Sequence, residues 1–445
     1  MVQPVIAWLR DDLRLADNPA LTAAISHGGP VIVVYVLDDV SSEIRTFGAA
    51  SRWWLHHSLA ELDARLGGAL VLRRGAGDEA IAALVEETDA AAVYWNRRYS
   101  ASREIDARLK SRLRESGREA TSFQANLLHE PWTVSTGDGG QYRVFTPFWR
   151  ACLERDVREP LPAADPAALT GGTGIRSDSL DDWALLPTRP DWAGGLRDTW
   201  APGEVGAGER LEGFVAESLA LYERRDEPAV EATSRLSPHL SFGEISPFQL
   251  WHRVRGVAST SAGFLREVGW REFAWHLLYH QPDLATVNVK RSFDAFPWSE
   301  PDAATLHAWQ QGRTGIPLVD AGMRELWHTG YMHNRVRMVV ASLLVKNLLV
   351  DWRIGEQWFW DTLVDADEAN NPVNWQWVAG SGADAAPYFR VFNPELQAAK
   401  FDPEATYIRR WLPEYGTPDY PDPIVDLAQS RKDALAAYEA VKAAR

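Results

Sequence analysis

The chain has 445 residues, a formal charge of −15 and 46% apolar side chains, enough for two domains with a core each. An acidic chain is a poor non-specific coat for nucleic acid, because phosphate neutralisation needs local positive charge; an enzyme with one basic patch stays open. No apolar run reaches the about 18 residues of a membrane helix and no signal-peptide pattern opens the chain. The single cysteine, Cys152, excludes a disulfide framework and a cysteine-ligated iron–sulfur cluster. A monomer in a reducing cytoplasm, with no membrane partner, is expected.

The first 130 residues alternate strands with helices. PVIAWLR, VIVVYVLDD, LVLRRG, AAVYWN and EATSF are apolar runs of strand length. Between them SRWWLHHSLAELDARL has helical spacing, and DEAIAALVEET follows an Asp that reads as its N-cap. This alternation predicts a doubly wound parallel sheet, a fold that takes ligands outside the carboxyl ends of its strands. No G-x-G-x-x-G follows the first strand and no phosphate-cradling P-loop occurs. Residues 131–207 read as a hairpin (EPWTVSTGDGGQYRVFTP) followed by a linker (PLPAADPAALTGGTG). From 208 to 445 the pattern is all-helical. GFLREVGWREFAWHLLYHQP ends at Pro282 and PLVDAGMRELWHTG at Gly330, while HNRVRMVVASLLVKNLLVDW is apolar on more than one face and predicts one buried helix.

Conventional catalytic sets are scarce. His276 and His280 are four apart, but no Glu completes a zinc motif and no metal site is expected. Cys152 has no base beside it and reads as core, and no nucleophile elbow occurs. Asp365 and Asp367, before an Asn-Asn-Pro turn, are either a working carboxylate pair or the end of a helix. The 21 tryptophans exceed what packing requires and suggest stacking or redox work. A chain with indoles and no acid–base set suggests chemistry carried by a cofactor.

Four segments in order, DEPAVEATSRLSPHLSFGEISP, LREVGWREFAWHL, TGYMHNRVRMVVASLLVKNLLVDWR and LVDADEANNPVNWQWVAGSGADAAPYFRVFNP, closely resemble the photolyase/cryptochrome family. The opening WLRDDLRLADNPAL does so too. The resemblance implies an α/β antenna domain, a long linker and an all-helical domain that binds FAD. It implies light-driven repair of cyclobutane pyrimidine dimers in UV-damaged DNA, by a member of the bacterial branch related to plant cryptochromes.

Site residues follow from the same resemblance. Tyr222, Thr233, Ser234, Leu236 and Ser237 fall where the family holds FAD phosphates and ribose; their hydroxyls and N–H groups suit phosphate oxygens near a helix start. Phe264, Arg271, Arg337, Phe359, Asp365 and Asp367 match positions lining the flavin, with Arg337 a partner for one aspartate. Asn371 matches the position that faces flavin N5, where a neutral amide tolerates the reduced, N5-protonated ring better than a carboxylate would. Trp270 and Trp377 match an aromatic wedge for the two pyrimidines. Glu267, Asn334 and Met338 complete the cavity between flavin and lesion, and Arg335 and Lys400 are phosphate ligands. Unaided, Trp270 reads as core and Glu267–Arg271 as a surface ion pair on one helical face. Trp298, Trp352 and Trp375 match an electron relay from the surface to the flavin.

The antenna chromophore implied is methenyltetrahydrofolate, with 8-hydroxy-deazaflavin or no antenna as alternatives. WNRRYSASREIDARLK lacks the Asn-Glu pair of some folate-binding relatives, and Tyr331 stands where relatives often carry Trp. Two other functions compete. A cryptochrome-type photoreceptor is disfavoured by Asn371 and by the absence of a long tail after AAYEAVKAAR. A (6-4) photolyase is disfavoured by a cavity without histidines.

Overall fold

A computed structural model describes residues 2–385 and 389–444; the segment quoted above through 394 is therefore seen except for 386–388. Strands β1 (Val5–Leu9), β2 (Val31–Leu37), β3 (Val71–Arg74), β4 (Ala92–Asn96) and β5 (Glu119–Phe123) form one parallel sheet in the order β3-β2-β1-β4-β5. Every residue of β1, β2 and β4 is buried, as a sheet covered on both faces requires. Alternate side chains divide between the faces. Val5, Ala7 and Leu9 join a core with α1 (Pro19–Ser26) and α2 (Ala49–Arg65), whereas Ile6 and Trp8 join one with α3 (Gly77–Thr88) and α4 (Arg103–Glu115).

Three sequence expectations are corrected. The Asp expected to cap α3 lies inside its first turn, and the cap comes from a distance: Gly77 N–H donates to Asp38 Oδ2 at 2.8 Å. The expected hairpin is absent among the described residues. A tight turn joins Thr136 and Gly140 at 2.9 Å, after which the chain enters the helix Phe145–Leu153. Phe145, Phe148, Trp149 and Cys152 repeat at helical spacing and face the helical core, so burial of that stripe outweighs strand pairing. The long buried helix is also broken. It runs Asn334–Ser342, passes through a π turn at Leu343–Asn347, and restarts at Trp352–Thr362 after Leu349 adopts φ +56°. The break bridges Val350 to Ser299 and starts the new helix at Trp352, capped by Asp351.

The stretch read as a linker is packed down. Ala164, Leu169, Trp183 and Leu185 enter the core of the sheet domain, and Gly171 N–H donates to Val31 O at 2.9 Å. A Cβ on Gly171 would lie 2.5 Å from that oxygen, so glycine is required there.

A fully buried arginine joins the two domains. Arg14 donates to Gly243 O at 2.8 Å, to Ala125 O at 3.1 Å and to Asp17 O at 3.1 Å. Nearby, His129 N–H donates to Glu272 Oε2 at 3.2 Å on the helix Ser261–His280.

Burial raises the Glu272 carboxyl from 4.5 to about 7, with Arg271 opposing. Between those values the folded chain holds a proton that the unfolded chain has released, so this group's contribution to stability falls as pH rises through the window. Denaturant unfolding of Glu272→Gln should show a flatter dependence from about pH 4.5 to about pH 7 than the parent; identical slopes would refute the assignment.

Candidate functional site

A cavity of about 480 Å³ opens among the helices, within the range of ligand sites. One wall is the Ser261–His280 helix, whose Phe264, Glu267, Val268 and Arg271 follow i, i+3, i+4, i+7. A second is Asn334–Ser342, presenting Asn334, Arg337, Met338 and Ala341 at the same spacing. The third runs from Phe359 through Asp365 and Asp367 to Asn371, Trp375 and Trp377, and the loop Tyr222, Ser234, Leu236 and Ser237 closes the fourth.

Asp365 holds three of these walls together. It accepts from Arg337 at 3.1 and 2.8 Å and from Ser237 Oγ at 2.6 Å. Asp367 ties the start of the next helix, accepting from Ala369 N–H at 2.9 Å and from the Asn370 side chain at 2.7 Å. Burial raises its pKa above the usual carboxylate value, against those donors and Arg271. The pair divides differently from either reading of the sequence: Asp365 works in the cavity wall, and Asp367 ties the start of the following helix, not the end of the preceding one, which stops at Thr362.

At the mouth, Trp270 stacks on Phe145 with centroids 3.8 Å apart and planes 9° from parallel. Trp270 and Trp377 are each half-buried, so part of each ring faces solvent. Glu267 does not pair with Arg271, contrary to the surface-pair reading. It lies 3.6 Å from Arg225, and burial raises its pKa while Arg225 and Arg266 oppose. Arg271 turns instead to Asn126 O at 2.9 Å. Asn371 spends its amide hydrogens on Glu356, leaving Oδ1 as its free polar atom.

Five expected residues lie off the lining: Thr233, Arg335, Lys400, Trp298 and Trp352. Thr233 is half-buried just upstream of Ser234. Arg335 pairs with Asp226 at 2.6 Å and sits 4.5 Å over the Phe401 ring, where Lys400 also lies at 4.9 Å. The two phosphate candidates thus meet at one surface aromatic. Trp375 packs edge-on to Phe359 at 4.9 Å, Trp352 donates to Asn288 Oδ1 at 2.9 Å, and Trp298 stands 4.3 Å from Phe296. All three indoles belong to or pack on one apolar cluster.

Leu240, Val268, Ala341, Leu363, Ala366, Asn370, Asn374 and Val378 also line the cavity and were not expected from the sequence. Helical spacing was the available signal: Ala341 is four from Arg337, and Asn374 four from Asn370. Neither His276 nor His280 lines it; their rings meet at 4.7 Å, and burial pushes His276 down to about 4. Cys152 is buried, which raises its thiol. Among the described residues no three His, Cys, Asp or Glu side chains gather as metal ligands, and no helix is long and apolar enough to cross a membrane.

The lining fits FAD. Apolar and aromatic faces suit a flat ring, Asn371 Oδ1 is an acceptor left unspent, and Ser234 and Ser237 stand at a helix start.

Comparison with known proteins agrees. Residues 5–167 match the family described as DNA photolyase, and 264–418 match the FAD binding domain of DNA photolyase. The chain is 50% identical to a deoxyribodipyrimidine photo-lyase of Agrobacterium fabrum, covering 99% of this chain and 98% of the relative. It is 37% identical to Cryptochrome-1 of Arabidopsis thaliana, covering 92% of this chain and 62% of that protein. The crystal structure of a bacterial class III photolyase from Agrobacterium tumefaciens superposes with a TM-score of 0.94 at 48% identity, over 100% of this chain and 98% of that one.

The helix carrying Phe359 leaves no room beside Trp375. A Cβ on Gly355 would sit 2.2 Å from the Trp375 ring and 2.7 Å from Leu344. Gly355→Ala should destabilise the fold by about 1–3 kcal/mol through this overpacking, measured by urea unfolding; parental stability would show that Trp375 is not held by that contact.

Proposed function

The chain belongs to the photolyase/cryptochrome family, and on that footing we propose that it repairs cyclobutane pyrimidine dimers in DNA using light. Held reduced in the cavity, FAD would supply on excitation the electron that splits the dimer to two pyrimidines, and would recover it afterwards. The observation that carries the reading is one cavity in which Trp270, Trp377, Met338 and Glu267 stand opposite Arg337–Asp365 and Asn371.

The chain's own residues divide the work. Tyr222, Thr233, Ser234, Leu236 and Ser237 hold the phosphate and ribose end. Phe264, Arg271, Asn334, Phe359, Asp367 and the Arg337–Asp365 pair fix the ring. Asn371 offers its carbonyl oxygen to the protonated ring nitrogen. Photolyases are among the enzymes that take their target out of the base stack, at a cost of a few kcal/mol that is least for a damaged pair. Trp270 and Trp377 offset that cost by stacking. Burial favours the protonated form of Glu267 relative to an ordinary carboxyl, which suits a donor to a pyrimidine carbonyl gaining negative charge. Arg335 and Lys400 hold flanking phosphates, Arg335 by leaving Asp226. Trp298, Trp352 and Trp375 would carry an electron inward from a soluble reductant, such as a thiol, to restore the reduced state.

We place an antenna, methenyltetrahydrofolate with 8-hydroxy-deazaflavin or none as the alternatives, at the carboxyl edge of the sheet, where Arg10 lies 4.2 Å and Arg98 5.4 Å from the Trp8 ring. The domains are assigned as 1–130, 131–207 and 208–445, and the protein as a cytoplasmic monomer.

Two tests follow from these roles. Trp352→Phe or Trp375→Phe should slow light-driven reduction of oxidised FAD strongly and spare repair by dithionite-reduced enzyme; loss of repair in the reduced, folded variant would refute the relay. Trp270→Ala should weaken binding of dimer-containing oligonucleotides by about 1–3 kcal/mol, one stacked base, and Arg335→Ala should weaken it with a shallower salt dependence. Under blue light, repair of a (6-4) oligonucleotide and not of a cyclobutane one would overturn the lesion assignment.

A further inference from the structure

The direction of the Asn371 amide is decided by a contact from the other domain. Asn371 Nδ2 donates to Glu356 O at 3.0 Å and to Glu356 Oε1 at 2.8 Å. Both are acceptors, so the amide nitrogen is held on Glu356 and the oxygen faces the cavity. That arrangement depends on how the Glu356 carboxylate is held. Its side chain is 3% exposed, and a buried charge needs a partner.

Arg45 is that partner. Its Nη1 donates to Oε1 at 2.6 Å and its Nη2 to Oε2 at 2.8 Å, the two-pronged form that fixes orientation as well as charge. Arg45 belongs to the sheet domain, between β2 and α2, and is 311 residues from Glu356 in sequence. Its guanidinium lies 3.9 Å over the Trp360 ring, and Trp360 Nε1 donates to Thr46 O at 2.9 Å. At the adjacent Gly48 a Cβ would lie 2.1 Å from Trp360 O. The strand-to-helix segment of the sheet domain is therefore pressed onto the helix that carries Glu356.

We propose that Arg45 is a positioning residue for the flavin site: acting through Glu356, it keeps the Asn371 carbonyl oxygen, and not its NH₂, turned to the ring nitrogen that is protonated in the reduced cofactor. The inference rests on the reading of Asn371 given above. Without Arg45 nothing fixes the direction of the buried Glu356 carboxylate, and its hold on the Asn371 Nδ2 is loosened. The Asn371 amide is then free to turn over, which presents NH₂ to the cavity. A donor there favours the unprotonated, oxidised ring, so the cofactor becomes harder to reduce.

The test is a spectrophotometric redox titration of bound FAD in the full chain, with melting temperature recorded for each variant. Arg45→Met, which leaves an apolar stem on Trp360, should shift the reduction equilibrium about tenfold toward oxidised FAD, about 30 mV for a two-electron couple. Arg45→Lys, which keeps the charge but not the fork, should give a smaller shift than Arg45→Met. In an Asn371→Ala background, which should itself move the potential, Arg45→Met should add nothing. A folded, FAD-loaded Arg45→Met at the parental potential overturns the proposal, as does an equal shift in the Asn371→Ala background. If Asn371→Ala leaves the potential unchanged, the placement of Asn371 at that nitrogen fails first and the inference falls with it. Should Arg45→Met not fold or load FAD, Glu356→Gln keeps the shape and removes the charge; a shift in the same direction supports the proposal, and the parental potential overturns it.

Discussion

The cavity depends on one buried carboxylate. Asp365 accepts from Ser237, 128 residues earlier in the chain, and from Arg337, 28 residues earlier. A buried charge of this kind adds little net stability, but removing one partner costs about 3–5 kcal/mol because the other is stranded. The ion pair therefore acts as a positional constraint. The loop bearing Ser237, the helix bearing Arg337 and the turn bearing Asp365 are held around a space that apolar packing alone would tend to fill. Arg14 applies the same logic between the domains. Its guanidinium is spent on backbone carbonyls from both sides, so that junction is fixed by hydrogen-bond geometry.

The sheet was legible in the sequence because its strands are continuous apolar runs between punctuated helices, and nothing in the tertiary structure competes with that pattern. The walls of the cavity were reached through the family resemblance: spacing alone puts Glu267, Trp270 and Arg271 on one helical face but reads them as core and a surface pair. What escaped is non-local or masked. The break after Ser342 was hidden because Leu343, Leu344 and Val345 are all buried, and an all-round apolar helix and an apolar π turn have the same pattern. The hairpin reading of 130–147 weighed turn residues over the Phe145, Phe148, Trp149 stripe. Arg45 carries no local signal at all, since its meaning comes from a carboxylate in another domain.

The tryptophan surplus divides in a way that composition could not show. Trp8, Trp53, Trp54, Trp95 and Trp309 are fully buried and fill cores in both domains; Trp352 is buried as deeply, so burial alone does not separate packing from a relay. Trp270 and Trp377 are half-buried at the cavity mouth. Exposed indole faces forgo burial that stabilises the fold at roughly 25 cal/mol per Å², and a ligand that covers them recovers it. Indoles at the mouth therefore mark function where the count of indoles does not.

On the roles proposed for Trp270, Trp377 and Arg335, the acidic surface makes that mouth the source of selectivity. With a formal charge of −15, the chain is repelled by phosphate except where cations gather, and at Phe401 one of those cations is already held by Asp226. Freeing Arg335 for a phosphate costs the same on damaged and undamaged DNA. Only an extruded lesion can recover that cost, through stacking worth about 1–3 kcal/mol per base on Trp270 and Trp377. For an intact pair the cost of extrusion is larger and the return is the same. A phosphate term that is equal on both kinds of DNA cancels from the difference that sets discrimination, so on the proposed roles the selectivity rests on the cost of extrusion, which is least where the pair is already damaged.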